Sequence, residues 1–157
     1  MEVPVHVWRV GRDEESRYLL ILRDDLGRPL MMSIGPCEAV SIWTALRGEP
    51  PRGLGLYPMA HDLLCDLIRS LGGQLLKVVV DDFWNDAYFA KLHLGVDSTV
   101  LTVDSRPSDA IALALRLEAP LFVTDSVFQA ARRAESQPER PAEEIDLWDE
   151  PGETEGP

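Results

Sequence analysis

The sequence is poor in the residues that build disulfide frameworks and histidine-rich metal centres. Only two cysteines and three histidines occur among its 157 residues. Cys37 and Cys65 do not form a CxxC pair, so we interpret them as small packing residues and not as a disulfide or a zinc site. The low histidine count argues against a zinc centre that is built mainly from imidazoles.

Several elements that define common classes of protein are also missing. No apolar run reaches the roughly 18 residues of a membrane span, and the start of the chain lacks the basic and apolar regions of a signal peptide. We therefore expect a cytoplasmic protein with no membrane partner. The sequence also lacks GKS or GKT phosphate loops, HExxH and GxSxG, which argues against P-loop, zincin and α/β-hydrolase sites.

Positive charge is scarce, since the formal net charge is −12. Nine acidic side chains and one arginine fall in residues 135–157, which leaves a net charge of −4 over 1–134. This balance disfavours tight binding to duplexes of any sequence, although a local basic patch is still allowed. We predict one domain over 1–134 and a disordered acidic tail over 135–157. Leu147 and Trp148 lie in the apolar cluster of that tail, which either docks on a partner or is incidental to a solubilising segment.

Apolar periodicity alternates between the two-residue repeat of strands and the longer repeat of helices. The predicted strands cover 3–10, 18–22, 30–34, 75–80, 88–94, 99–103 and 121–123. Three main helices begin near Pro36, Met59 and Pro107, and a short last helix covers 126–133. The pattern predicts an α+β fold in which a mixed, mostly antiparallel sheet packs against these helices.

Polar residues crowd the junction between the sixth predicted strand and the helix at Pro107. Asp104 and Asp109 could hold a divalent cation through oxygen ligands, and Arg106 could grip a phosphate. The alternative is structural, with Asp109 at a helix start and Arg106 in an ion pair with Asp104. Spacing alone leaves both interpretations open.

Two further helix starts carry candidates. His61 and Asp62 open the second helix, where a neutral imidazole could act as a base or ligand. Glu38 opens the first helix. In the structural alternative each carboxylate complements the dipole of its own helix, and His61 packs at the start of the second helix.

Three segments in this order carry a resemblance to a known family. They are residues 34–39 (IGPCEA), 58–64 (PMAHDLL) and 104–114 (DSRPSDAIALA). Together they resemble the bifunctional nuclease domain family of bacteria and plants. The resemblance runs from about Val3 to Ala131, with Tyr57 and Ala60 standing where family members usually carry arginine and threonine.

The resemblance implies a compact α+β fold, self-association, most simply as a dimer, and nuclease activity on DNA and RNA. On this basis we predict a metal-assisted nuclease, or a nuclease-like protein, that uses Mg²⁺ or Mn²⁺, in which His61 is the base and Arg106 stabilises phosphate charge. The predicted catalytic residues are His61, Asp62, Arg106 and Asp109, and the predicted metal ligands are Glu38, Asp104 and Asp109. The alternative function is a non-catalytic module that binds a small anionic ligand or a protein partner.

Overall fold

A computed structural model of the chain describes residues 1–48 and 59–136, together with the backbone of 145–146. The strands are β1 (Glu2–Arg12), β2 (Tyr18–Asp24), β3 (Pro29–Ile34), β4 (Gly73–Trp84), β5 (Ala87–Val96), β6 (Thr99–Ser105), β7 (Leu121–Thr124) and the two-residue β8 (Ile145–Asp146). The helices are α1 (Pro36–Arg47), α2 (Ala60–Ser70), α3 (Pro107–Leu117) and α4 (Asp125–Glu135). None of these helices is long and apolar enough to cross a membrane.

The strands form one sheet in the order β3-β2-β1-β7-β4-β5-β6, and β8 pairs with β1 beside this path. Neighbouring strands are antiparallel except for β4 and β7, which run parallel with Val79 opposite Phe122. The predicted α+β fold with a mixed, mostly antiparallel sheet is therefore confirmed.

The core lies between the sheet and the helices. Helix α3 packs on β4 and β5 and also contacts α1 and α2, so it is the central helix of its layer. The largest side chains that are fully buried are mostly branched aliphatic ones: Leu20, Leu22, Leu30, Ile42, Val78, Val80, Ile111, Val123 and Val127. Helix α3 thus holds both α1 and α2 on one side of the sheet.

The predicted strands and the last helix all extend beyond their predicted limits, and β4 and α4 show this most clearly. Strand β4, predicted to end at Val80, continues to Trp84, and the turn to β5 consists of Asn85 and Asp86, which have the positive φ angles of a tight hairpin. Its extension is favoured by the contact between the rings of Phe83 and Tyr88, whose centroids lie 4.5 Å apart. Helix α4 has 11 residues, as many as α2 and α3, so the last helix, predicted over 126–133, is longer than expected and the described chain has four helices.

Other predictions fall outside the residues that the structure describes. These concern the disorder of the segment after Ser136, docking through Leu147 and Trp148, and the departure from the family pattern at Tyr57.

Two hairpin turns are held by the same hydrogen bonds between an aspartate and the arginine four residues after it. Asp24 Oδ1 accepts the backbone N–H groups of Leu26 and Arg28 at 3.0 and 2.7 Å, and Oδ2 accepts Arg28 Nε–H at 2.6 Å. Asp13 binds Glu15 and Arg17 in the same way. Burial raises the pKa of Asp24, but the hydrogen bonds from Arg28 outweigh it and hold that pKa below its ordinary value.

We predict that Asp24→Asn lowers the free energy of unfolding at pH 7 by about 2 kcal/mol, because a buried charged acceptor is lost. The folded-state pKa of Asp24 is depressed, so its contribution is fully present above the unfolded-state value and is lost as pH falls through the folded-state value. Urea unfolding from about pH 7 down to about pH 2 should therefore show the difference between wild type and variant shrinking.

Asp25→Asn is the matched control, since Asp25 lies in the same turn and is exposed. An equal loss of stability in both variants would contradict the role assigned to Asp24.

Candidate functional site at three helix starts

The starts of α1 and α3 are built alike. Gly35 and Arg106 are the N-caps, each is followed by a proline, and Glu38 and Asp109 lie in the respective first turns. Proline suits the first helical position because the N–H that it lacks would have no partner inside the helix. The carboxylates face the positive end of each helix dipole.

Asp109 is the acceptor at which the three helix starts meet. Arg106 donates from Nε to Asp109 Oδ2 at 2.6 Å and from Nη2 to Oδ1 at 3.0 Å. His61 Nε2 lies 2.9 Å from Asp109 Oδ1. Burial raises the pKa of Asp109, but the hydrogen bonds from Arg106 and His61 outweigh it and keep that pKa below its ordinary value. Asp109 is therefore an ionised acceptor at neutral pH, and His61 Nε2 is the donor to it.

The second ring nitrogen of His61 is bound in the interior. Its Nδ1 lies 2.6 Å from Oγ of Ser41, a residue of α1 with no exposed surface. A chain of polar contacts therefore runs from buried Ser41 through His61 and Asp109 to Arg106, whose side chain is 66% exposed.

Glu38 joins this chain through Arg106, whose Nη2 donates to Glu38 Oε1 at 2.9 Å. The hydrogen bonds to Asp109 and Glu38 together raise the pKa of Arg106. The other oxygen of Glu38 folds back over Gly35, where a Cβ atom would overlap it. A glycine at the helix start is therefore what lets Glu38 reach Arg106.

Ser41, Glu38, His61, Arg106 and Asp109 together form one polar cluster. Asp62 is not part of this cluster. Its Oδ2 accepts the backbone N–H of Met59 at 2.8 Å, and its Oδ1 accepts Nε–H of Arg116 at 2.7 Å. Burial raises the pKa of Asp62, but the hydrogen bonds from Arg116 and Met59 outweigh it and lower that pKa. These contacts cap α2 and tie it to α3. The catalytic role predicted for Asp62 stays a prediction.

Asp104 is also apart from the cluster. It is exposed near the end of β6, opposite Lys91 of β5, and lines an open cleft of about 1620 Å³. Within the described residues no ion pair joins Asp104 to Arg106, so the structural pair considered from the sequence is replaced by Arg106 with Asp109 and Glu38. The reason is geometric: Asp109 follows Arg106 by one helical turn, whereas Asp104 belongs to the strand.

The cleft meets the cluster at Arg106. Six acidic and three basic side chains stand among the lining residues that the structure describes, so the cleft is acidic. Arg106 is one of those residues, whereas Glu38, His61 and Asp109 are not. Arg106 is therefore the member of the cluster that faces this open space.

The predicted metal ligands do not form a metal centre in this arrangement. No group of three or more His, Cys, Asp or Glu side chains with suitable geometry occurs in the described parts of the chain. Both oxygens of Asp109 are engaged by Arg106, and among the described contacts no hydrogen bond or ion pair joins Asp104 to Glu38, Arg106 or Asp109. The donor set of Glu38, Asp104 and Asp109 thus does not fit a Mg²⁺ or Mn²⁺ ion as it stands.

Two residues of the arrangement were not singled out from the sequence. Ser41 is a polar residue between the buried positions Ala39 and Ile42 of α1, and a hydroxyl on a buried helix face needs a partner. That signal could have drawn attention to Ser41. Nothing in the spacing connects Arg116 with Asp62, because they lie on different helices.

The fold and this cluster define an α+β domain with an ionic site at the first turns of three helices. The chain belongs to the bifunctional nuclease domain family, whose model matches residues 20–136. The matched region contains every member of the cluster, and the resemblance inferred from the three sequence segments is confirmed.

The relatives include proteins of bacteria and plants. An uncharacterized protein of Mycobacterium tuberculosis is 35% identical over 131 residues, which cover 83% of this chain and 75% of that protein. Bifunctional nuclease 1 of Oryza sativa subsp. indica is 26% identical over 166 residues, covering 87% of this chain and 49% of the rice protein. Bifunctional nuclease 2 of Arabidopsis thaliana is 35% identical over 69 residues, covering 42% of this chain and 21% of the plant protein.

We predict that Gly35→Ala separates Glu38 from Arg106 while the fold is kept. The added methyl group would take the space of the Glu38 carboxylate, which can swing away at a cost of about 1 kcal/mol or less, because the pair is partly exposed. Side-chain NMR contacts between residues 38 and 106 and a urea unfolding curve measure the two effects.

Gly95→Ala is the control, since a Cβ there would meet only the side chain of Leu76 at ordinary contact distance. Retention of the contact between Glu38 and Arg106 in Gly35→Ala would contradict the need for glycine.

We predict that Asp62→Asn mainly affects stability. Arg116, which is 10% exposed, loses its charged partner, so the free energy of unfolding should fall by about 1 kcal/mol. Asp66→Asn is the control, because Asp66 is an exposed acid on the same helix. Unfolding curves of both variants measure the difference, and an unchanged curve for Asp62→Asn would contradict the structural role.

Proposed function

We propose that this chain hydrolyses phosphodiester bonds of DNA or RNA. The observation that carries the proposal is the exposed Arg106 guanidinium, held by Asp109 and Glu38 at the junction of three helix starts in a member of the bifunctional nuclease domain family. The rice and Arabidopsis relatives are named bifunctional nucleases, which supports a nuclease reaction here.

Arg106 is the group suited to bind the phosphate. Its planar guanidinium can donate two parallel hydrogen bonds to phosphate oxygens, a geometry that an ammonium group lacks. Its contacts within the described chain use Nε and Nη2, and its side chain is 66% exposed at the cleft. A bound phosphodiester would compete with Glu38 for Nη2, because both present anionic oxygens to the same donor.

Asp109 is the group to which we assign the proton, because it is the ionised carboxylate beside Arg106. The hydrogen bonds that lower its pKa weaken it as a base, so the transfer requires Arg106 to turn from Asp109 toward the phosphate. In the proposed reaction, a water oxygen attacks phosphorus while Asp109 takes the water proton, and the bond from phosphorus to the leaving oxygen breaks. The leaving oxygen then takes a proton from solvent. Arg106 stabilises the added negative charge on the phosphate, and His61 acts through its hydrogen bond to Asp109.

The metal requirement stays a prediction. Mg²⁺ or Mn²⁺ would supply Lewis-acid polarisation of the phosphate, and the acidic wall of the cleft, including Asp104, would attract such cations. The proposed roles of Asp109 and Arg106 do not depend on a metal ion, because Glu38, Asp104 and Asp109 do not form a group that could hold one in the described residues. Titration of the cleavage reaction with a chelator tests this requirement.

One observation favours the alternative of a non-catalytic binding module. Arg106 already has two carboxylate partners, so the cluster carries no excess positive charge to attract a polymer of phosphates. A small anionic ligand or a protein partner would meet less repulsion than a nucleic acid.

The self-association that the resemblance implies likewise stays a prediction, which light scattering of the purified chain can measure.

We predict that the purified chain cleaves plasmid DNA and structured RNA and that Arg106→Ala lowers the rate by about 100-fold or more. The reactions are run with Mg²⁺, with Mn²⁺ and with EDTA in place of metal. Arg69→Ala is the matched control, because Arg69 is also an exposed arginine with an aspartate three residues away on a helix. Its rate should stay within about twofold of wild type.

Two results would overturn the proposal. Absence of cleavage under every metal condition, in a chain that is folded, would overturn the nuclease and favour the binding module. Equal losses of rate in Arg106→Ala and Arg69→Ala would show that the effect of Arg106 is not specific to the site.

A further inference from the structure

We infer that Ser41 is a positioning residue that clamps His61, and that His61 in turn orients Asp109 and is not itself the proton acceptor. This inference rests on the proposed function, because it assigns roles within that reaction. The geometry behind it concerns the two nitrogens of one imidazole ring.

Both nitrogens of His61 are engaged. Nε2 lies 2.9 Å from Asp109 Oδ1, and it donates there because Asp109 already accepts hydrogen bonds from Arg106 at both oxygens. In the neutral ring Nδ1 then carries the lone pair, and the Ser41 hydroxyl at 2.6 Å must be the donor to it. The neutral ring is thereby fixed in the tautomer with hydrogen on Nε2.

The exposure of Ser41, His61 and Asp109 shows which of the three lies nearest the surface. Ser41 has no exposed surface, and the side chains of His61 and Asp109 are 11% and 27% exposed. A water molecule at the surface therefore meets Asp109 before His61, and the only lone pair of the neutral ring points inward at Ser41. His61 has no free nitrogen with which to take a proton from that water.

The connection also differs from that of a serine hydrolase. In that triad the serine is the nucleophile and is bound to Nε2, while the aspartate orients the ring through Nδ1. Here the serine is on Nδ1 and inaccessible, and the aspartate is on Nε2 and nearer the surface. Ser41 is thus the orienting member of the chain and Asp109 the reactive one.

The experiment compares Ser41→Ala and Ser41→Thr in the full chain. Alanine removes the hydroxyl and leaves Nδ1 without its buried partner, so we expect kcat to fall by roughly ten- to a hundredfold with little change in KM. Threonine keeps the hydroxyl and should restore most of kcat. Thr44→Val is the matched control, because Thr44 lies one turn further along α1 and its buried Oγ1 has no partner in the described structure.

A second measurement does not depend on catalysis. In the ¹⁵N-labelled chain, NMR of the imidazole nitrogens reports which nitrogen of His61 carries hydrogen, with His6 and His93 as internal references. We expect the neutral ring to be protonated on Nε2 in wild type, and the Nδ1 resonance to move in Ser41→Ala but not in Thr44→Val.

The outcomes separate the two proposals. A neutral ring protonated on Nδ1, or an unmoved Nδ1 resonance in Ser41→Ala, would overturn the hydrogen bond from Ser41 to His61 (the clamp), whether or not the chain cleaves nucleic acid. A chain that cleaves nothing but shows the expected resonances would overturn the proposed function and leave the clamp supported. Equal losses of kcat in Ser41→Ala and Thr44→Val would contradict the positioning role.

Discussion

The carboxylate of Asp109 is the acceptor on which the arrangement of the three helix starts depends. It is partly buried, and an ion in that position is stable only when donors replace the water that it has lost. Arg106 supplies two hydrogen bonds from the N-cap of the same helix, and His61 supplies one from α2. Glu38 of α1 is joined through Arg106, so one carboxylate links all three helices.

The members of the cluster follow one another from the core to the surface, and the buried members hold the exposed ones in place. Ser41 is packed in the core, His61 lies between helices, and Arg106 reaches the cleft. Side chains that project from helices are held more closely than those on loops, which suits a site that must align reacting groups. In the proposed nuclease reaction, the outer part of the cluster presents the cation of Arg106 and the carboxylate of Asp109 to a phosphodiester. The acidity of the cleft is the feature that this reaction has to overcome.

Local rules anticipated the elements and failed where a partner is distant in sequence. The Gly35-Pro36 and Arg106-Pro107 starts were recognisable because proline and a first-turn carboxylate act within one helical turn. The length of β4 was underestimated, since its last residues are stabilised by the opposite strand and not by their own apolar periodicity. The pairing of Asp62 with Arg116 could not be predicted, because it spans 54 positions along the chain.

The sequence by itself determined the alternation of strands and helices, the three helix starts and membership of the family, because each is carried by short motifs. It could name Glu38, His61, Arg106 and Asp109 as candidates, but it could not say which of them touch. Only the packing of α1 and α2 on α3 decided that these four meet, that Ser41 stands behind them, and that Asp62 pairs with Arg116, while Asp104 lines the cleft without joining them. The physical reason is that a side chain's partners across helices are set by packing, whereas its place within a helix is set by neighbours one turn away.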